Sequence, residues 1–188
     1  MPLSFNRSLF LRLLLLSLSL NIAWGVAETG IDKWRHTGTG LVTELGFALA
    51  FSLTFFWCLD PARRTLRALF SLTVLTIATD TLSFWLVFPA VANPTDNIVA
   101  AYLVSALFSS LLFVGIIGRF FPIRFKRQTG VLLFTVLALL LIPADHYIRH
   151  INFLDPPLVD PLSVCLAVGQ IASSIVLGLG IATQPRAS

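Results

Sequence analysis

From Asn97 to Gly118 no side chain is charged, and the same holds from Pro161 to Gln184. An α-helix rises 1.5 Å per residue, so about 20 apolar residues cross the roughly 30 Å hydrocarbon core of a bilayer. Both runs are long enough. Three further runs are nearly clean: 40–59 is broken only by Glu44, 68–91 only by Asp80, and 128–144 is closed by Pro143. A proline disfavours helical backbone in the residue before it, so this last run is expected to stop there. Composition points the same way. Of the 188 residues 56% are hydrophobic and 12% charged, with a mean hydropathy of +0.87. Soluble domains carry about 25% charged residues. A soluble fold of this size has too little interior for so much apolar side chain, and its surface would be one large apolar patch. The expected class is an all-α, polytopic integral membrane bundle with six apolar segments. Residues 28–188 form one domain with spans at about 40–59, 68–91, 97–118, 128–144 and 161–184.

The first segment, residues 1–27, has two readings. Arg7 and Arg12 form a basic region, LLLLSLSLNIAWGVA an apolar stretch, and Gly25-Val26-Ala27 a run of small residues of the kind a signal peptidase reads. Cleavage after Ala27 leaves five spans. The other reading is a first transmembrane helix, with Arg12 snorkelling to the headgroups.

Basic residues orient the spans. Arg7, Arg12, Arg63, Arg64, Arg67, Arg119, Arg124, Lys126, Arg127 and Arg186 fall on one side if the spans alternate, ten of the thirteen Lys and Arg. The other side receives Lys33, Arg35 and Arg149. Basic loops stay cytoplasmic, so both termini are expected inside, in a cell inner membrane. The same short clustering excludes nucleic acid as a partner, despite a net charge of +4. Cys58 and Cys165 lie toward opposite ends of their spans, roughly 20 Å apart along the membrane normal, too far for a disulfide.

Asp80 carries most of the functional expectation. A carboxylate near the bilayer centre costs about 2.5–3.5 kcal/mol on insertion scales, so it is expected to face the bundle. Thr73, Thr76, Asp80 and Ser83 are spaced three, four and three apart, which places them on one helix face. Candidate helpers are Ser105 and Ser109 on the fourth span and Gln170, Ser173 and Ser174 on the last. Gly169-x-x-x-Ser173 and Ser174-x-x-x-Gly178 permit close helix packing. The expectation is a polar cavity between the third, fourth and sixth segments, with Asp80, Thr76, Ser83, Ser109 and Gln170 as solute-binding residues and Glu44 as an outer gate. The competing reading is a protonated Asp80 that only hydrogen-bonds a neighbouring helix. His146 and His150, four apart in ADHYIRH, share a face if that stretch is helical and then form a weak candidate metal pair.

No GxSxG, Walker A, GxGxxG or HExxH pattern is present, and no cofactor is implied. In architecture alone, six short helices in under 200 residues resemble the substrate-binding subunits of energy-coupling-factor vitamin transporters, or small precursor carriers of similar size. The resemblance implies solute binding within a membrane bundle and transfers no site residue. The expected function is binding and translocation of a small polar or cationic solute. The alternatives are an assembly factor or sensor input module that docks a partner membrane protein through its helices, and a quinone- or lipid-handling enzyme using the His146/His150 face.

Overall fold

The computed structural model describes residues 5–35, 40–95, 97–121, 125, 127–151 and 161–183. Among them the chain is helical throughout. Helices α1 (Arg7–Arg35) and α2 (Gly40–Phe56) are followed by a short 3-10 turn at Pro61–Arg63. Then α3 (Leu66–Thr81), a π-helical stretch (Leu82–Val87) and α4 (Phe88–Thr95) make one continuous rod. Helices α5 (Ile98–Phe120), α6 (Arg127–Ile151) and α7 (Pro161–Ala182) complete six rods.

Local chemistry sets several of the starts. Asn6, Thr65 and Asn97 each accept, through a side-chain oxygen, the backbone N–H three residues on (Leu9, Ala68, Ala100) at 3.0, 3.2 and 2.9 Å. These bonds satisfy donors that a helix start otherwise leaves open. Proline acts less strongly than expected. Helix α6 does not stop before Pro143 but continues to Ile151, so the fifth segment is longer than 128–144. An interior proline removes one backbone hydrogen bond, a loss that apolar helices tolerate when neighbours re-satisfy the freed carbonyl.

Three stretches are long and apolar enough to cross a membrane: Arg7–Ala27, Leu66–Thr95 and Ile98–Phe120. Shorter apolar stretches cover Leu45–Phe56, Gln128–Leu140 and Ala167–Ala182. The exterior of the rods is apolar. Leu15, Val26, Leu66, Phe70, Trp85, Leu86, Leu111 and Leu139 are all exposed. The interior holds Ser17, Asn21, Thr76, Asp80, Ser83, Ser105, Ser109, Gln170 and Ser174. These polar residues lie among a larger set of buried apolar ones, including Phe47, Phe51, Leu72, Ile117, Leu133 and Leu177.

Antiparallel neighbours fix the arrangement. The Asn6 N–H donates to the Ala182 carbonyl at 2.8 Å, so α1 begins where α7 ends. Trp57, just past α2, shares a groove with Arg7 and Arg12. Arg63 reaches the Phe120 carbonyl at the end of α5, and Phe125, ahead of α6, abuts Gly180 of α7. Arg7, Arg12, Arg63, Arg64, Arg67 and Arg119 therefore gather at one end of the bundle. The side chains of Arg124, Lys126, Arg127 and Arg186 lie outside the described residues.

Near this basic end the interior is closed by aromatic rings. Phe51 packs on Phe55 and on Phe113 with ring centroids 4.8 and 5.0 Å apart, and Phe55 meets Phe121 edge-on at 6.2 Å. Phe47, Phe51 and Phe55 are fully buried. The free thiol of Cys58 is buried beside them.

Candidate functional site

A hydroxyl in an apolar helix has a default partner, the carbonyl four residues back in its own helix. Ser52, Thr54, Thr73, Thr79, Ser110 and Ser173 all take it, at 2.6–3.0 Å. The residues that do not take it mark where polar chemistry is directed elsewhere. Two groups of them lie at mid-depth.

The first group joins the α3–α4 rod to α5. The Ser109 hydroxyl donates to Ser83 Oγ at 2.7 Å, and the Ser105 hydroxyl donates to the Ser83 backbone carbonyl at 3.1 Å. That carbonyl lies in the π-helical stretch and also accepts the Phe88 N–H, five residues on. A side chain inserted into the ladder, and Pro89 with no N–H to give, are both recognised causes of such a departure from the α-helix. Asp80 sits one turn earlier, at the end of α3. It is 7% exposed and engaged by its surroundings. Thr76, one turn before Asp80, is fully buried, and its hydroxyl has no hydrogen-bond partner.

The second group lies between α1 and α7. The Asn21 amide donates to the Ser17 carbonyl at 2.8 Å, but its own oxygen has no partner. Ser17 Oγ, Ser174 Oγ, Trp24 Nε1 and both ends of the Gln170 amide are also buried without a hydrogen-bond partner among the described residues. The helices run antiparallel with Asn6 level with Ala182, and Leu13 and Phe10 lie against Gly178. That register sets Ser17 near the level of Ser174 and Asn21 near that of Gln170. On α7, Gly178 faces α1 and Gly180 faces Phe125 and Thr129. At 100° per residue, Gln170 and Leu177 fall between those two directions, toward the bundle interior. Trp24 closes the seam on the α2 side, its indole lying on Gly46, where a β-carbon would overlap the ring.

Counted at 1.5 Å per residue from the basic end, Asn21, Asp80, Ser105 and Gln170 all lie roughly 18–23 Å deep. Of the expected stripe of Thr73, Thr76, Asp80 and Ser83, the last three are buried and Ser109 is brought onto them, while Thr73 is half-buried and donates to the Leu69 carbonyl of its own helix. Gln170 is placed differently from expectation. Among the described residues α7 packs on α1, α6 and α2, and not closely on α3. The cavity expected between the third, fourth and sixth segments is therefore split into two polar interfaces at one depth. Helix α2 packs on both α3 and α7, and α1 packs on α7 and α2. Glu44 is the fifth residue of α2, and the positions of His146 and His150 are helical and share a face of α6. The side chains of all three lie outside the described residues.

Ser17, Asn21 and Trp24 were not among the residues singled out from the sequence. The signal was present, because Asn21 places an amide inside the run LLLLSLSLNIAWGVA. It was masked by the signal-peptide reading, in which the segment has no packing partner. No family model, curated protein or solved structure matches the chain.

Proposed function

We propose that the chain is a six-span membrane protein that binds a small polar or cationic solute at mid-depth and carries it across the bilayer. The supporting observation is a layer of buried polar groups with open hydrogen-bonding capacity around the depth of Asp80: Thr76 Oγ1, Asn21 Oδ1, Ser17 and Ser174 Oγ, Trp24 Nε1 and the Gln170 amide. Each buried unpartnered group costs about 1–3 kcal/mol, and native structures rarely leave several together unless water or a ligand completes them. The set contains both donors and acceptors, which suits a polar solute. Asp80 supplies the counter-charge for a cation or a coupling proton. The π-helical stretch beside it adds carbonyls bent out of the regular ladder, the kind of backbone that coordinates ions in carriers with broken helices.

In this reading the basic end faces the cytoplasm, because arginine-rich termini and loops are retained there. The phenylalanine plug of Phe51, Phe55, Phe113 and Phe121 is then the inner barrier, and solute reaches the polar layer from the opposite side. Translocation requires the plug to part.

The test is substitution in cells and in proteoliposomes. Asp80→Asn keeps the size of the side chain and removes its charge. It is expected to lower solute uptake at least a hundredfold while the protein still inserts and folds. Asp80→Leu with unchanged uptake and unchanged stability overturns the proposal.

A further inference from the structure

The basic end contains an open groove of about 790 Å³ between the start of α1 and the end of α2. That volume falls within the roughly 300–1,000 Å³ typical of ligand sites. Its lining changes character along its length. Arg7, Ser8, Leu11 and Arg12 line the part toward the end of the bundle, and Leu15 and Leu16 continue the wall toward the middle, with Trp57 opposite. Leu11, Arg12, Leu15 and Leu16 are spaced one, three and one apart, so α1 presents them as a single stripe. Leu11, Leu15 and Trp57 are exposed. A site with cationic groups at one end and hydrocarbon beyond them has the polarity of an anionic amphiphile.

Charge at this end is one-sided. Arg7, Arg12, Arg63, Arg64, Arg67 and Arg119 collect there, and Asp60 is the only acid among the described residues at that end. The Arg64 guanidinium lies over the Trp57 ring at 5.7 Å, a cation–π distance. The buried thiol of Cys58, next in sequence to Trp57, is within electrostatic reach of both Arg12 and Arg64. Two guanidiniums, Arg7 and Arg12, line the groove, and a third, Arg64, stacks on its Trp57 wall while its Nε–H donates to the Leu59 carbonyl. Basic pockets between membrane helices take anionic lipid headgroups in this way.

We propose that the groove is a binding site for one anionic phospholipid. The lipid phosphate sits between Arg7 and Arg12, and an acyl chain runs along Leu11, Leu15 and Leu16 against Trp57. Bidentate guanidinium contacts favour phosphate over a zwitterionic headgroup, whose own ammonium is repelled by the arginines. The lipid would fasten the start of α1 to the end of α2. This site is independent of Asp80 and of solute transport.

Native mass spectrometry of the full-length protein, titrated with phosphatidylglycerol and separately with phosphatidylcholine, tests the proposal. One phosphatidylglycerol is expected to bind at least tenfold more tightly than phosphatidylcholine. Arg7→Gln with Arg12→Gln should remove that preference, and Arg7→Lys with Arg12→Lys should retain most of it. Arg63→Gln with Arg67→Gln changes the net charge equally at the same end but outside the groove, and should leave binding unchanged. Equal loss in the two Gln pairs means general surface attraction and overturns the site. So does equal binding of the two lipids, or full displacement of the lipid by inorganic phosphate at the same concentration. An intact mass lacking residues 1–27 overturns it as well, because both arginines are then gone.

Discussion

The two polar interfaces at mid-depth solve the same problem in different ways. Between the α3–α4 rod and α5, the serine hydroxyls are paired, Ser109 with Ser83 Oγ and Ser105 with the Ser83 carbonyl, and Thr76 Oγ1 is the hydroxyl left open among the described residues. The interface is held by directed bonds, and the helix deforms into a π-helical stretch around them. Between α1 and α7 no described hydrogen bond between side chains joins the two helices, several buried polar atoms have no partner among the described residues, and contact there comes from shape. Gly178 admits Leu13 and Phe10, and Gly46 admits the Trp24 ring. Small residues that let helices approach closely are the usual device in membranes, where lipid tails remove the hydrophobic drive for helix association. The paired interface is built to hold position. The unpaired one keeps its hydrogen bonds available for something that arrives later.

That difference makes the α1 seam the more sensitive to steric change. Gly46→Leu places a branched side chain in the volume of the Trp24 indole, and overpacking of this kind costs about 1–3 kcal/mol, sometimes more. We expect about 3 kcal/mol of lost stability in detergent unfolding, the largest structural effect among these predictions. Trp24→Ala opens a cavity and is destabilising alone, yet it removes the clash. The double variant should therefore lose about 2 kcal/mol less than the sum of the singles, within the range seen for residues in contact. Strict additivity means that Trp24 does not lie on Gly46.

The next contrast is one of sign. Gln170→Leu removes two buried atoms that lack partners, so without solute it should be neutral or stabilising by about 1–2 kcal/mol, while solute binding falls. Ser83→Ala removes the acceptor of the Ser109 hydroxyl and should cost about 1 kcal/mol. Gln170→Leu proving the more damaging of the two in solute-free protein would show that its amide is already paired, and the comparison between the interfaces would collapse.

The sequence carried the helices and the depth of the polar residues, but not which helices meet. Uncharged runs and basic clusters define the segments because both are one-dimensional properties, and the mid-span position of Asp80 follows from counting. Packing of α7 on α1 depends on which faces of each helix are small. Ser174-x-x-x-Gly178 announces a close contact without naming the partner, and the partner is Leu13, within the segment whose retention was in doubt. The end of α6 was misplaced because Pro143 was weighed as it would be in water. In an apolar surrounding an unravelled backbone loses far more than one hydrogen bond, so the helix continues through the proline. For the π-helical stretch the sequence offered only Pro89, which has no N–H to give. The other contribution, Ser105 reaching a carbonyl 22 residues away in sequence, could not be read from it.

The smallest effects lie within the paired interface, and there Ser83 separates its two bonds. Ser109 uses the Ser83 side chain, whereas Ser105 uses the Ser83 main chain. Ser83→Ala deletes the first acceptor and leaves the second. Ser83→Ala and Ser109→Ala should then be non-additive, with a coupling of about 0.6 kcal/mol, the average for interhelical hydrogen bonds in a membrane protein. Ser83→Ala and Ser105→Ala should add. A double-mutant cycle on each pair, read from unfolding in the same detergent, measures both values. Coupling in the Ser105 pair as large as in the Ser109 pair would mean that the backbone of the π-helical stretch moves when Ser83 is changed. Asp80, one turn away, would then be held by the same bonds that shape that stretch, and its position would shift with them.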